Sequence, residues 1–161
     1  MKDNFIFRTA TIKDLNDVLR LNFELFKLED KKYDKTLNRN WTYREGKKFF
    51  RKRILWKKSF VEVVEYKGKT VGYLCGEIFK GIPWRQKAVY AELDNMFVEG
   101  KYRGKKLGTR LVKDFLNWCK KKKVGYVEVV ASFSNKNAIG FYNRSGFKDY
   151  ALILETKISK K

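Results

Sequence analysis

Two hydrophobic periods divide this chain. A short apolar run at residues 5–8 predicts a first strand. Leu15, Val18, Leu19, Asn22, Leu25 and Phe26 then recur at helical spacing and predict a helix ending near Leu28. Thr11 stands as its N-cap, and Asp14 three residues on comes close to a capping box. Residues 29–41 are charged, show no period and predict a loop. A second helix over about 43–57 carries Phe49, Phe50 and Ile54 on its apolar side. Runs at 60–66 and 70–79 flank Lys67-Gly68-Lys69 and predict a hairpin with a short glycine turn. A loop at 80–85 leads to a longer strand over 88–98. The helix over 105–122 has Leu107, Leu111, Phe115, Trp118 and Cys119 on one face. A buried strand at 126–131 and a short helix at 135–145, stopped by Gly146, follow. In the last predicted strand, 149–157, Tyr150, Leu152 and Leu154 alternate against Ala151 and Ile153.

The order is therefore β-α-α-β-β-β-α-β-α-β. Hairpin-connected strands come first and β-α-β crossovers follow. This predicts an α/β fold with a mixed, mostly antiparallel central sheet and helices on both faces. Residues 1–161 suit a single domain. Hydrophobic residues make up 43% of the chain, enough for a core, and one Pro with no low-complexity tract gives no linker. Neither a signal-like apolar run nor a membrane span is visible, so the expected location is cytoplasmic.

The chemistry is narrowed by what the chain lacks. There is no histidine, which removes Ser-His-Asp and Cys-His nucleophile systems and any metal site that needs imidazole. The two cysteines, Cys75 and Cys119, fall in predicted core elements and read as reduced thiols. They argue against a structural zinc site, and no metal is expected. The net charge is +20, from 38 Lys and Arg against 18 Asp and Glu, which raises a nucleic-acid partner. The lysines are scattered over every predicted element, with small clusters at 120–123 and 157–161; scatter favours a generally basic surface over a dedicated binding tail.

One segment concentrates the candidate chemistry. Asn95-Met96-Phe97-Val98-Glu99-Gly100-Lys101-Tyr102-Arg103-Gly104-Lys105-Lys106-Leu107-Gly108-Thr109 takes an apolar strand through a basic, glycine-bearing turn into an amphipathic helix. The first N–H groups of a helix lack internal partners and suit a pyrophosphate. Arg103, Lys105 and Lys106 add charge there, and Gly104 and Gly108 keep side chains away from a close ligand. About thirty residues later the chain reads Asn135-Lys-Asn-Ala138-Ile-Gly-Phe141-Tyr142-Asn-Arg-Ser-Gly146-Phe147.

Together, these two segments resemble the acyl-CoA-binding half of the GCN5-related N-acetyltransferases (the GNAT superfamily). The resemblance covers most of the chain and is dense over 88–147. It implies the acyl-CoA N-acyltransferase fold, acetyl-CoA as cosubstrate without a metal, and transfer of acetyl to an amine acceptor in a ternary complex. The family's phosphate turn, (Gln/Arg)-x-x-Gly-x-(Gly/Ala), falls on Arg103 to Gly108, with Lys106 replacing the middle glycine. That replacement is mild if residue 106 has helical dihedrals and matters if the position needs a positive φ. By resemblance, backbone N–H groups from Arg103 through Gly104, Lys105, Lys106, Leu107 and Gly108, with the Thr109 hydroxyl, hold the pyrophosphate. Met96, Phe97 and Val98 pair with pantetheine, and an N–H near Val98 steadies the oxyanion. Asn135, Ala138 and Phe141 approach the cofactor, and Tyr142 protonates the leaving thiolate.

A base is also required, because the acceptor amine is protonated near neutral pH. In this family a carboxylate on the strand before the turn often serves. Glu92 and Asp94 lie two apart and share a strand face; spacing does not choose between them, and by resemblance Asp94 aligns better with the base position of the family's polyamine acetyltransferases. Glu62, Glu65 and Glu77 read as solvated or ion-paired. The acceptor wall is expected from the first helix and the 29–41 and 80–87 loops. Glu24, Glu29, Asp30 and Asp34 are available there for a cation, and Tyr33, Trp41 and Trp84 for packing. The fold often forms homodimers. The alternative functions are a basic nucleic-acid- or ribosome-associated protein that keeps the fold without turnover, and a CoA-binding regulatory module.

Overall fold

The computed structural model describes residues 4–81, 83–85 and 88–158. The chain divides into two compact units, Met1–Val130 and Ala131–Lys161.

The first unit carries one five-stranded sheet in the order β1-β2-β3-β4-β5. Its strands are β1 (Phe5–Thr9), β2 (Ser59–Tyr66), β3 (Lys69–Lys80), β4 (Val89–Val98) and β5 (Tyr126–Val129). The first four are antiparallel neighbours and β5 joins β4 in parallel. The sheet is thus mixed and mostly antiparallel. The β2–β3 hairpin turns tightly because Lys67 (φ +50°) and Gly68 (φ +76°) both take left-handed backbone, the pair a two-residue turn of this hand requires.

Helices α1 (Leu15–Lys32) and α2 (Glu45–Leu55) cover one face of the sheet. Val18, Leu19 and Leu21 of α1 and Phe50 of α2 bury with Val61, Val63, Tyr73, Cys75 and Phe97 in a single cluster. Helix α3 (Leu107–Lys121) covers the other face, where Phe115 meets Phe60 at 5.6 Å between ring centroids. Successive residues on a strand point to opposite faces. Cys75 accordingly faces the first cluster, while a Cβ added at Gly76 would come within 2.7 Å of the Phe115 ring and 2.6 Å of the Glu92 carbonyl oxygen. A glycine is required there for that reason alone.

The start of α1 follows the expected chemistry. Asp14 accepts from the Thr11 N–H at 2.7 Å and from the Thr11 hydroxyl at 3.0 Å. Arg8 holds the same carboxylate from β1, and its guanidinium lowers the Asp14 pKa to about 2. The helix runs past Leu28 to Lys32, and a 3₁₀ turn over Arg39–Tyr43 occupies part of the expected loop. Trp41 stacks on Phe26 at 5.6 Å and packs against Phe49 and Phe50, so it joins the α1–α2 packing.

Two hairpin carboxylates are ion-paired as expected, Glu65 with Arg8 and Glu77 with Arg53. Glu62 is not. It lies on the α3 face with its Oε2 buried and without a hydrogen-bond partner. Burial, helped by Asp114 and opposed by Arg110, raises its pKa to about 7.

Strand β5 ends at Val129 and is only half-buried, with Tyr126 and Val130 exposed, so it is not the buried strand expected over 126–131. The second unit contains α4 (Lys136–Arg144). The predicted strand at 149–157 is absent: residues 149–158 hold no secondary structure, and Leu152, Ile153 and Leu154 are exposed. Alternation supplies the side chains of a strand, but a ladder needs a partner strand, and none is present among the described residues.

Candidate active site

Strands β4 and β5 pair only where Tyr90 to Leu93 meet Tyr126 to Val129. From residue 94 to 98, β4 keeps its ladder with β3 and has no strand on its other side among the described residues. Five residues of backbone edge are therefore open on a strand that is otherwise central. A bulge begins the opening. Cys75 pairs with Asn95 and Gly76 with Leu93, which leaves Asp94 as the extra residue. Met96, Phe97 and Val98 occupy the open stretch, with Phe97 and Val98 buried on their side-chain sides.

A buried polar chain fixes this stretch. Thr42 donates to Asn22 at 2.8 Å, Asn22 donates to the Tyr73 hydroxyl at 3.0 Å, and that hydroxyl donates to Asn95 at 2.6 Å. Beside it sits a cluster of charge. Arg53, buried on the apolar face of α2, donates from Nε to Asp94 at 2.9 Å and pairs both its terminal nitrogens with Glu77. The Cys75 thiol donates to Asp94 at 3.6 Å. Burial raises the Asp94 pKa despite Arg53, and it pushes the Cys75 thiol well up. Glu92 lies opposite Glu77 across β3 and opposite Glu128 across β5. Its pKa is raised by burial first, then by Asp94, Glu128 and Glu77. Glu92 makes no hydrogen bond or ion pair among the described residues, whereas Glu128 pairs with Arg85 at 3.1 Å.

The open edge runs into the basic turn. A 3₁₀ turn over Gly100–Tyr102 leads to Arg103, whose Nε donates to the Val98 carbonyl at 2.9 Å and whose guanidinium lies 5.1 Å from the Phe97 ring centre. Gly104 has φ +78° and Lys106 has φ +61°. The middle position of the turn motif is therefore left-handed, and the milder expectation of helical dihedrals at Lys106 is not met. Helix α3 accordingly begins at Leu107 rather than residue 105. The first bond of its ladder joins the Arg110 N–H to the Lys106 carbonyl at 3.0 Å. The N–H groups of Leu107, Gly108 and Thr109 precede that ladder. No acid stands in the first turn. Cations there oppose the positive end of the helix dipole, an arrangement that an anion would relieve.

Within the second unit, Asn135 caps α4 by accepting from the Ala138 N–H at 3.1 Å. Gly146, at φ +101°, ends the helix as expected, and the Phe147 N–H returns to the Tyr142 carbonyl at 3.1 Å. The Tyr142 ring stands edge-on between Phe141, at 5.2 Å, and Phe147, at 5.6 Å. The structure thus groups Glu92, Asp94 and residues 96–109 on the first unit, and Asn135, Ala138, Phe141 and Tyr142 on α4 of the second.

Arg53 was not among the expected site residues. Its signal was present: it follows Phe49 by four and Phe50 by three, which places it on the buried stripe of α2. An arginine on that stripe needs buried carboxylates, and Glu77 and Asp94 supply them. Of the expected acceptor wall, Asp30 is paired with Arg39 at 3.2 Å and Trp84 is exposed. The 80–87 loop lies partly outside the described residues.

A parallel pair that splays beside a bulge and opens onto a basic helix start defines the acyl-CoA N-acyltransferase fold. The family model described as acetyltransferase (GNAT) family matches residues 23–147, and the chain belongs to that family. An uncharacterised N-acetyltransferase of Methanocaldococcus jannaschii is 30% identical over 149 residues, covering 92% of this chain. The chain spans 63% of that relative's length. A tetramutant of the BH1408 protein of Bacillus halodurans superposes with a TM-score of 0.84 at 21% identity, over 95% of this chain and 99% of that one. Glucosamine-6-phosphate N-acetyltransferase of Arabidopsis thaliana gives 0.69 at 20% identity, over 97% and 99%.

Proposed function

We propose that this chain acts as one acetyl-CoA-dependent N-acetyltransferase domain that moves acetyl to a primary amine. The observation that carries this reading is the open edge at residues 94–98, which ends directly at the cation-rich start of α3. Pantetheine has an amide backbone that suits such an edge, and a pyrophosphate suits N–H groups ahead of a helix ladder. The family resemblance points the same way.

In this mechanism Glu92 is the base. Asp94 is occupied by Arg53, whereas Glu92 has no partner among the described residues and a raised pKa, which brings it closer to the working range of a general base. Glu92 takes a proton from the ammonium, directly or through water. The amine nitrogen attacks the thioester carbonyl, and a backbone N–H near Val98 donates to the oxygen as it gains charge. The carbon–sulfur bond breaks, and Tyr142 gives its phenol proton to the thiolate. Holding both reactants in line supplies much of the rate. Asp94 acts as a positioning residue through Arg53.

Thermal melting with and without acetyl-CoA tests the reading. Saturating acetyl-CoA is expected to raise the Tm of the wild type, at low and moderate salt, and to leave that of folded Gly108→Glu unchanged. An equal rise in both proteins would remove the pyrophosphate from the turn, and no rise in the wild type would sink the proposal.

A further inference from the structure

Two rows of side chains cross the sheet at Glu92. Glu77, Glu92 and Glu128 are direct partners across β3, β4 and β5, and so are Phe79, Tyr90 and Tyr126 two residues nearer the start of β4. Residues two apart on a strand point the same way, so both rows lie on one face. The rings follow the register: Phe79 lies 5.8 Å and Tyr126 5.3 Å from Tyr90, centre to centre. The proposed base therefore has a carboxylate on either side and a tyrosine in the next row.

Both outer carboxylates are taken. Arg53 holds Glu77, and Arg85, from the connection between β3 and β4, holds Glu128 at 3.1 Å. Arg85 is more than a surface partner. Its side chain is only 20% exposed, and its guanidinium carbon lies 5.4 Å from the centre of the Tyr90 ring. An aromatic ring beside a carboxylate is a general seat for a cation, and here the chain fills that seat with its own. Neighbouring strands lie about 5 Å apart, so the filled seat adjoins the place where an acceptor ammonium must stand at Glu92. In a chain of net charge +20, this face gathers four carboxylates, Glu77, Glu92, Asp94 and Glu128, against the two guanidiniums of Arg53 and Arg85. The surplus of two falls to one when a single ammonium arrives. Without Arg85 the surplus would be three, and a second ammonium beside the first would find Glu128 and Tyr90 unoccupied.

We infer that Arg85 is a specificity-determining residue: its guanidinium fills the second cation seat beside Glu92, so that the chain acetylates amines without another positive charge near the reacting nitrogen. Diamines and polyamines are disfavoured by an occupied seat and by like charge, a repulsive element built into the site. The inference rests on the acetyltransferase reading with Glu92 as base, and it names the acceptor class.

Two matched acceptors provide the test: tetramethylenediamine and its amino-alcohol analogue, in which a hydroxyl replaces one ammonium. Steady-state acetylation by the full chain gives kcat/KM for each. Comparing the diamine-to-alcohol ratio between a variant and the wild type cancels the difference in amine basicity. Arg85→Gln is expected to raise that ratio by about tenfold, and by less at high salt. Arg85→Lys, which keeps the charge, should hold the wild-type ratio. Adding Glu128→Gln to Arg85→Gln should cancel the rise, an outcome that a merely structural arginine would not produce. An unchanged or lowered ratio in Arg85→Gln overturns the inference and leaves the acetyltransferase reading standing. So does a rise that survives Glu128→Gln, and so does turnover of neither amine by protein whose Tm acetyl-CoA still raises. Absence of any acetyl-CoA binding by the wild type removes both readings together.

Discussion

Arg53 and Asp94 form a buried ion pair, 2.9 Å from Nε to Oδ2, between the inner face of α2 and the bulge of β4. Glu77 shares the same guanidinium. One side chain thus ties a helix to the strand whose edge is unpaired beyond Leu93, and it occupies one of the two carboxylates that spacing alone left eligible as base.

Removing this guanidinium should cost more than removing an ordinary surface charge. Arg53→Met leaves Asp94 and Glu77 without their partner, and an unpaired buried charge costs roughly 3–5 kcal/mol. Urea unfolding of the variant should show a loss of that size. A loss below about 1 kcal/mol, typical of an exposed pair, would mean that the cluster is solvated.

The two carboxylates should separate kinetically. Glu92→Gln is expected to lower kcat by about 100-fold, the low end for loss of a general base. Asp94→Asn, which keeps a polar group beside Arg53, should have a smaller effect on rate. Wild-type kcat/KM should rise with pH through a limb set above the ordinary Glu range, because burial and neighbouring carboxylates raise the Glu92 pKa. That limb should be absent in Glu92→Gln. A limb that survives in Glu92→Gln and disappears in Asp94→Asn would exchange the two roles.

Lys106 holds a left-handed backbone at φ +61° in front of α3. A side chain in that region costs about 1 kcal/mol that glycine does not incur. Lys106→Gly should therefore stabilise the protein by up to about 1 kcal/mol, measured by denaturant unfolding without ligand. It also removes one cation from the turn, so acetyl-CoA affinity should become less sensitive to salt. Destabilisation by the glycine would show that the Lys106 side chain contributes contacts larger than its backbone strain.

Glu62 should make stability depend on pH. Its folded pKa of about 7 lies above the ordinary 4.5, so the native state binds its proton more tightly than the unfolded chain. Stability from this group is fully present below about 4.5 and is lost as pH rises through about 7. Glu62→Gln should therefore raise the Tm at pH 8 relative to wild type and change it little at pH 5. Partial solvent screening holds the effect to about 1 kcal/mol. An identical Tm difference at both pH values would place the ionised carboxylate in water.

Much of the architecture was legible in the sequence because local chemistry enforces it. The hairpin follows from Lys67-Gly68, the capping of α1 from Thr11 and Asp14, the end of α4 from Gly146, and the buried stripe of α3 from Leu107, Leu111 and Phe115. Each depends on residues near one another along the chain. The turn-to-helix segment and the Asn135–Phe147 motif were legible in the same way, and they carried the family.

What only the tertiary structure decided depends on neighbours distant in sequence. Residues 149–157 alternate like a strand yet remain unpaired, because a ladder needs a partner that no local pattern provides. The bulge at Asp94 lies beside Gly76, where the missing Cβ leaves room for both the Phe115 ring and the Glu92 carbonyl. Spacing left Glu92 and Asp94 level and the resemblance leaned to Asp94; Arg53, forty-one residues before it, occupies that carboxylate. A carboxylate's role follows from the charge and solvent around it, and the fold alone brings those together.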